Sequence, residues 1–134
     1  MSVSIDAVRE SVRRLAHEES LRLVVLFGSA ARGEERVEDM DLALLGTCPL
    51  DLVDLTNRFT QAIGFQEIDL VDLRRADALL QMLVARDGIP LYEREPTEFA
   101  RFVSLAVRRY ADTAKFRAME RQELHELIRR ESAG

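Results

Sequence analysis

The stretch LFGSAARGEERVEDMDLALL, residues 26–45, places a Gly-Ser pair and a D-x-D pair between two apolar segments. A continuous apolar run, Leu23 to Phe27, leads into it and predicts a buried strand. A second apolar run, Asp41 to Leu45, leads out of it and predicts another strand. Buried strands rarely carry two carboxylates at their start, so this arrangement indicates a site that needs negative charge.

The Gly-Ser pair and the aspartates are residue types that hold phosphate and magnesium. Gly28 and Ser29 are expected in a turn leading into a short helix, where the backbone approaches a ligand closely and helix amides favour phosphate. Asp39 and Asp41 are two apart on a strand, so both point to one face. A third carboxylate, Asp69, on a later strand would complete a two-magnesium site. This set predicts phosphoryl or nucleotidyl transfer.

Several alternatives accompany this site. Asp72 competes with Asp69 for the third carboxylate, but residues three apart on a strand point to opposite faces, which favours Asp69. Arg32 either contacts phosphate or lies on a solvent-facing helix surface, and both interpretations stay open. Cys48 is the only cysteine and is expected to pack rather than react, and a single cysteine excludes an intrachain disulfide.

Periodicity predicts an α/β (α+β) domain with a small mixed sheet flanked by helices. The predicted elements are a first helix with the stripe Ile5, Val8, Val12 and Leu15, strands at 23–27, 41–45, 67–73 and 89–92, a helix from Pro49 to Gly64, and a helix from about Leu79 to Gly88. Pro90 would confine the last strand to a sheet edge. We expect one domain, residues 1–134, with a core at about 5–94 and a helical tail at about 97–130.

Composition narrows the class of protein. The chain is 47% hydrophobic and 32% charged, which is typical of a globular protein, and no apolar run reaches membrane-spanning length. The net charge of -5 argues against direct nucleic-acid binding. The single cysteine and the absence of a signal-peptide core favour the cytoplasm.

The opening stretch resembles the signature of the DNA polymerase β-like nucleotidyltransferase superfamily. More narrowly, it resembles the minimal nucleotidyltransferase (MNT) antitoxins of HEPN/MNT toxin–antitoxin systems. Residues 68–94, IDLVDLRRADALLQMLVARDGIPLYER, are similar to the third strand, helix and closing strand of that family, and the resemblance covers about residues 5–94. One departure is that nine residues separate the serine from the D-x-D pair, where the antitoxins often have ten.

The resemblance implies a polymerase β-like fold and a set of roles for the residues. Gly28 and Ser29, with Arg32 in the same loop, would bind the triphosphate of ATP. Asp39 and Asp41 would bind magnesium, with two ions expected. Asp69 would act as metal ligand or base.

The resemblance also implies an antitoxin that transfers AMP from ATP to a tyrosine of a cognate HEPN-domain toxin. The alternative is a weakly active or non-catalytic module that neutralises its partner by occlusion. A less favoured third hypothesis is modification of a small molecule such as an aminoglycoside, for which resembling enzymes use additional acceptor-binding structure.

The C-terminal tail carries a second apolar stripe. Its members are Phe116, Met119, Leu124, Leu127 and Ile128. A helical pattern this long either breaks into two helices or extends to a partner. We expect the stripe to dock on another chain, either the toxin or a second copy of this protein.

Overall fold

The computed structural model describes residues 5–33, 40–64 and 67–133. Helices and strands alternate along these ranges in the order α1 (Ile5–Glu18), β1 (Leu21–Phe27), β2 (Met40–Gly46), α2 (Leu52–Ile63), β3 (Ile68–Asp72), α3 (Ala78–Asp87), β4 (Ile89–Glu93) and α4 (Glu98–Ala133). The predicted mixture of helices around a small sheet is confirmed, and the element boundaries differ from the predicted ones by one to three residues at most ends.

The four strands form a mixed sheet in the order β3-β2-β1-β4. Strand β1 runs antiparallel to β2 and β4, whereas β2 and β3 are parallel. The end of β1 and the starts of β2 and β3 therefore meet at one end of the sheet. Pro90 lies in β4 at the sheet edge, as predicted, and is aligned with Val25.

The two faces of the sheet are covered by different helices. Alternate residues of the strands face α1 and α2 on one side, and α3 with the first turns of α4 on the other. The first layer contains Val8, Val12, Leu15, Val24, Leu26, Leu42, Leu44, Leu55 and Phe59. The second contains Leu23, Val25, Ala43, Leu73, Val84, Phe102 and Ala106. These two layers hold the strand ends in fixed positions.

Helix α2 starts later than the sequence predicts. The predicted start is Pro49, but Asp51 is the N-cap, because its carboxylate accepts a hydrogen bond from the Asp54 amide at 3.2 Å. Gly64 ends the helix with φ 76°, as predicted. The expectation that Cys48 packs in the interior is wrong, since this side chain is exposed in the segment that precedes the cap.

Helix α4 is a single unbroken helix of 36 residues, about 54 Å long at 1.5 Å per residue. Phe102 and Ala106 in its first turns are buried, whereas all five apolar residues of the second stripe are more than half exposed. We call Phe116, Met119, Leu124, Leu127 and Ile128 the α4 ridge. In the described ranges, no helix combines the length and apolarity needed to cross a bilayer.

Candidate active site

The turn after β1 contacts a carboxylate at the start of β2. Gly28 has φ 74°, in the left-handed region that favours glycine. A Cβ built on Gly28 would lie 3.3 Å from Cγ of Asp41 and would collide with its Oδ2 atom. Strand pairing produces this approach, because Phe27, the last residue of β1, is aligned with Asp41. The glycine therefore lets the loop backbone lie directly against the Asp41 carboxylate.

Two of the predicted carboxylates occupy neighbouring positions on adjacent strands. Asp41 of β2 is aligned with Asp69 of β3 in the parallel pair. Aligned residues on adjacent strands share a face and lie about 5 Å apart. Asp41 is partly buried, whereas Asp69 is exposed. Asp39, the other predicted carboxylate of the D-x-D pair, lies outside the described residues.

Asp72 occupies a different environment from Asp69. It points to the opposite face of β3, and it is only 7% exposed. Its carboxylate accepts a hydrogen bond from the Arg74 amide at 3.0 Å, and its carbonyl accepts one from the Arg75 amide at 3.0 Å. Asp72 therefore stabilises the turn after β3, and the residue beside Asp41 is Asp69.

The described part of the loop after β1, residues 28–33, forms turns and not the predicted short helix. The Arg32 amide donates to the Gly28 carbonyl at 3.3 Å, which is one isolated helical hydrogen bond. The Gly33 amide donates at 3.4 Å to the Ala30 carbonyl, which tightens the chain there instead of continuing the helix. Ser29 is partly buried within this turn, beside Gly28. The loop thus presents its backbone near Asp41 without a helix in this part.

Arg32 is close enough to the end of α3 for its charge to act on Asp87. The pKa of Asp87 is lowered mainly by hydrogen bonds from Arg86, at 3.0 and 2.8 Å, with a smaller attraction from Arg32. Sequence reasoning missed this neighbour, because only the packing of α3 against the sheet brings Asp87 close to the loop. Arg32 is exposed, and its charge contributes to the field at the end of α3.

The predicted metal ligands of this site are all carboxylates, which are of the chemical type that binds magnesium. Carboxylate oxygens are its preferred protein ligands, and one or two of them usually suffice when substrate phosphates supply the rest. Within the three described ranges, no group of three or more His, Cys, Asp or Glu side chains is arranged to hold a metal ion. The described donors are the Asp41 and Asp69 pair, to which the sequence adds Asp39 two residues before Asp41.

The sequence matches one known protein family. The family described as "Polymerase beta, Nucleotidyltransferase" matches residues 10–97. That span begins in α1, includes all four strands, and ends just before α4. No curated protein sequence matches the chain significantly.

The fold is also similar to solved structures. One is a toxin–antitoxin structure with AMP-PNP, at 25% identity over 87% of this chain and 98% of that one, with a TM-score of 0.73. Another is a tri-AMPylated Shewanella oneidensis HEPN toxin in complex with MNT antitoxin, at 24% identity over 90% and 99%, with a TM-score of 0.72. A third is the toxin–antitoxin MntA-HepT, at 23% identity over 89% and 98%, with a TM-score of 0.70.

Proposed function

Because the chain belongs to the polymerase beta nucleotidyltransferase family, we propose that it is an antitoxin that transfers AMP from ATP to a tyrosine of a HEPN-domain toxin. The family match and the shared fold confirm the predicted polymerase β-like architecture. The reaction, its acceptor and the partner form the proposal.

The observation that carries the proposal is the contact between the loop at Gly28 and the Asp41 carboxylate, with Asp69 aligned beside it. A phosphate chain lying along the loop would have its oxygens near both carboxylates. The phosphate and the carboxylates repel each other, so this proximity is unfavourable unless divalent cations lie between them. The arrangement therefore suits a nucleoside triphosphate that binds together with magnesium.

Asp39, Asp41 and Asp69 would hold magnesium, and Gly28, Ser29 and Arg32 would contact the triphosphate. When bound, magnesium neutralises phosphate charge and stabilises the in-line transition state. The Gly28 and Ser29 amides would orient the phosphate oxygens. Arg32, in the same loop, would supply a positive charge for the triphosphate.

The proposed transfer forms one bond and breaks another at the α-phosphorus. The acceptor tyrosine oxygen attacks this atom, its proton goes to a base, and pyrophosphate leaves with the electrons of the broken P–O bond. Asp69 is the exposed carboxylate of the pair, so it is the one that an incoming tyrosine reaches. We assign Asp69 to metal binding or to accepting that proton.

The structural neighbours support the choice of partner and donor. The similar structure at 25% identity is a toxin–antitoxin with AMP-PNP, an ATP analogue, which supports ATP as the donor and a toxin as the partner. The α4 ridge supplies an exposed apolar surface, more than half exposed at each position. We propose that this ridge contacts the toxin and brings its tyrosine to the exposed side of Asp69.

The test of this function is the double variant Asp39→Asn/Asp41→Asn. Magnesium-dependent ATP binding, measured by calorimetry, is expected to fall at least about a hundredfold, because losing both carboxylates removes several kcal/mol of metal binding. AMP transfer to the purified toxin, followed by mass spectrometry, is expected to disappear. The fold should persist, because Asp41 is only partly buried, and the buried residues 42–44 that follow it in β2 are unchanged.

A matched control removes two acidic charges elsewhere. Glu10 and Glu18 are exposed on α1, so Glu10→Gln/Glu18→Gln lowers the negative charge equally without touching the site. This control should bind magnesium and ATP as the native protein does. Unchanged ATP affinity in the Asp39/Asp41 variant would remove the nucleotidyltransferase proposal.

The occlusion alternative has its own supporting observation. The α4 ridge is exposed whether or not the site is active, so it can bind a partner without catalysis. If the Asp39/Asp41 variant still neutralises the toxin at equal concentration, occlusion is the mechanism. Loss of neutralisation together with loss of AMP transfer, with the complex still formed, would favour the enzyme.

A further inference from the structure

A cleft of about 460 Å³ opens at the opposite end of the sheet from Gly28 and Asp41. Its floor is apolar and is formed by Leu45, Leu73 and Phe102. Leu45 lies near the end of β2, and Leu73 directly follows β3. Strand β1 separates this cleft from the Gly28 loop by roughly 17 Å, at 3.3 Å per residue.

Four arginines line this cleft, in a protein whose net charge is -5. They are Arg22, Arg74, Arg101 and Arg109, and we call the site the arginine cleft. One carboxylate, Glu98, belongs to the same lining. The cleft therefore concentrates positive charge over an apolar floor.

The carboxylate in the lining is already neutralised. Glu98 is 3% exposed, and its two oxygens accept hydrogen bonds from Arg22 at 3.5 and 3.0 Å. The buried Gln81 is also satisfied, since its amide donates to the Leu73 carbonyl at 2.8 Å and its oxygen accepts from Arg109 at 3.3 Å. These contacts fix two arginines as part of the wall.

The other two arginines have no such partner among the described residues. The side chains of Arg74 and Arg101 are exposed and make no ion pair or hydrogen bond with the residues that the structure describes. Arg74 follows β3 and Arg101 lies in the first turn of α4, so they approach the cleft from two different elements. Guanidinium groups in this position can bind a phosphate or carboxylate bidentately.

We propose that the arginine cleft binds a small phosphate-bearing molecule with an apolar or planar body, of the size of a nucleoside monophosphate. Arg74 and Arg101 bind the phosphate, while Leu45, Leu73 and Phe102 contact the body. Small-molecule sites typically occupy about 300–1,000 Å³ and combine an apolar lining with a few polar groups. This site needs no metal ion, because its own charge is positive.

The experiment uses AMP as the probe, in EDTA, on the full chain carrying Asp39→Asn/Asp41→Asn. This background and the absence of divalent metal remove the proposed magnesium–ATP site, so the result does not depend on that function. Calorimetry should show saturable binding of AMP. Inorganic phosphate should bind at least about tenfold more weakly, since it lacks a body to cover the floor.

In the same background, Arg74→Gln/Arg101→Gln should weaken AMP binding about tenfold or more, because it removes the charge-assisted hydrogen bonds to the phosphate. These side chains make no other polar contact within the described ranges, so the fold should be unaffected. The matched control is Arg75→Gln/Arg108→Gln, which removes two exposed arginines nearby in sequence that do not line the cleft. Its AMP affinity should change less than about twofold, the scale of a remote exposed charge.

Three results would overturn the proposal. The first is a lack of saturable AMP binding to the starting protein. The second is an equal loss of affinity in the Arg75/Arg108 control, which would make the effect one of general charge. The third is equal binding of inorganic phosphate and AMP, which would show that the apolar floor is not used.

Discussion

The two ends of the sheet carry opposite charge. At one end, the loop at Gly28 lies against Asp41, and Asp69 is aligned beside it. At the other end, the arginine cleft places guanidinium groups over an apolar floor, with Glu98 as its one carboxylate. If both proposals hold, the carboxylates at one end need cations to accept a phosphate, whereas the arginines at the other end bind it without a metal ion.

Strand direction produces this separation. Because β1 is antiparallel to β2, its end lies beside the start of β2, and its own start lies at the arginine cleft. Because β2 and β3 are parallel, Asp41 and Asp69 meet at one end while Leu45 and Leu73 meet at the other. The net charge of -5 therefore does not predict the local charge, since the same molecule has an acidic site and a basic cleft.

The largest expected effect comes from Gly28→Ala. The added Cβ would collide with the Asp41 carboxylate, so the carboxylate or the loop must move. A displacement of about 1 Å in such a site costs about a hundredfold in rate. AMP transfer to the toxin, measured from initial rates at saturating ATP, should fall at least that far.

The control for this variant is Gly64→Ala. Gly64 has φ 76°, nearly the same as Gly28, but a Cβ there meets nothing within 4 Å in the described structure. Both variants should lower the unfolding free energy by about 1–2 kcal/mol because of the left-handed backbone. Only Gly28→Ala should lose transfer activity, and an equal loss in Gly64→Ala would assign the effect to stability instead.

A smaller but more selective effect is expected when Asp69→Ala is compared with Asp72→Ala. Asp69 is exposed beside Asp41, so its removal should leave stability unchanged. It should lower magnesium–ATP affinity or the rate of AMP transfer about ten- to a hundredfold, which is the range typical of residues that support a metal site. Asp72 caps the turn after β3, so its removal should cost about 1 kcal/mol of unfolding free energy and little activity. Denaturant unfolding and calorimetry on the same samples separate the two. If instead Asp72→Ala lost activity and Asp69→Ala lost stability, Asp72 would be the third carboxylate of the site.

The local features of the acidic end could be predicted from sequence. Leu23 to Phe27 is apolar throughout because both faces of β1 are covered, and this makes the strand evident. Strand alternation alone separates Asp69 from Asp72, since residues three apart face opposite sides. By contrast, residues 28–33 show only turns where a short helix is predicted after Ser29, because the Gly33 amide bonds to the Ala30 carbonyl and tightens the turn.

The basic end could not be predicted, because its parts are distant in sequence. Arg22, Arg74 and Arg101 lie near the ends of three different elements, and nothing in the local sequence distinguishes any of them from an ordinary surface residue. Only the strand order and the docking of α4 bring them around one cleft. Pairings between distant segments depend on tertiary contacts that local sequence patterns do not encode.

Removing the chain after Thr113 is expected to have the smallest effect on the two ends of the sheet. The α4 ridge lies beyond the buried Phe102 and Ala106, so truncation removes little of the core. Truncation also removes Arg117, which lies 4.1 Å from the Tyr110 ring centroid and donates to the Tyr110 hydroxyl at 2.7 Å. This cation–π contact is partly buried, and such contacts are worth between about 0.5 and 2 kcal/mol, so the unfolding free energy should fall by no more than about 2 kcal/mol.

Truncation should nevertheless weaken the complex with the toxin, because the exposed ridge is the surface that it removes. Light scattering and a pull-down with the purified toxin measure the mass and the complex, and calorimetry checks that magnesium–ATP binding is retained. A conservative companion, Phe116→Ser/Leu127→Ser, keeps the helix length and removes only apolar side chains. If both variants keep native mass and native toxin affinity, the ridge is not an interface. If the mass falls while toxin affinity stays native, the ridge joins two copies of this chain, and toxin binding must then use the compact part around the sheet.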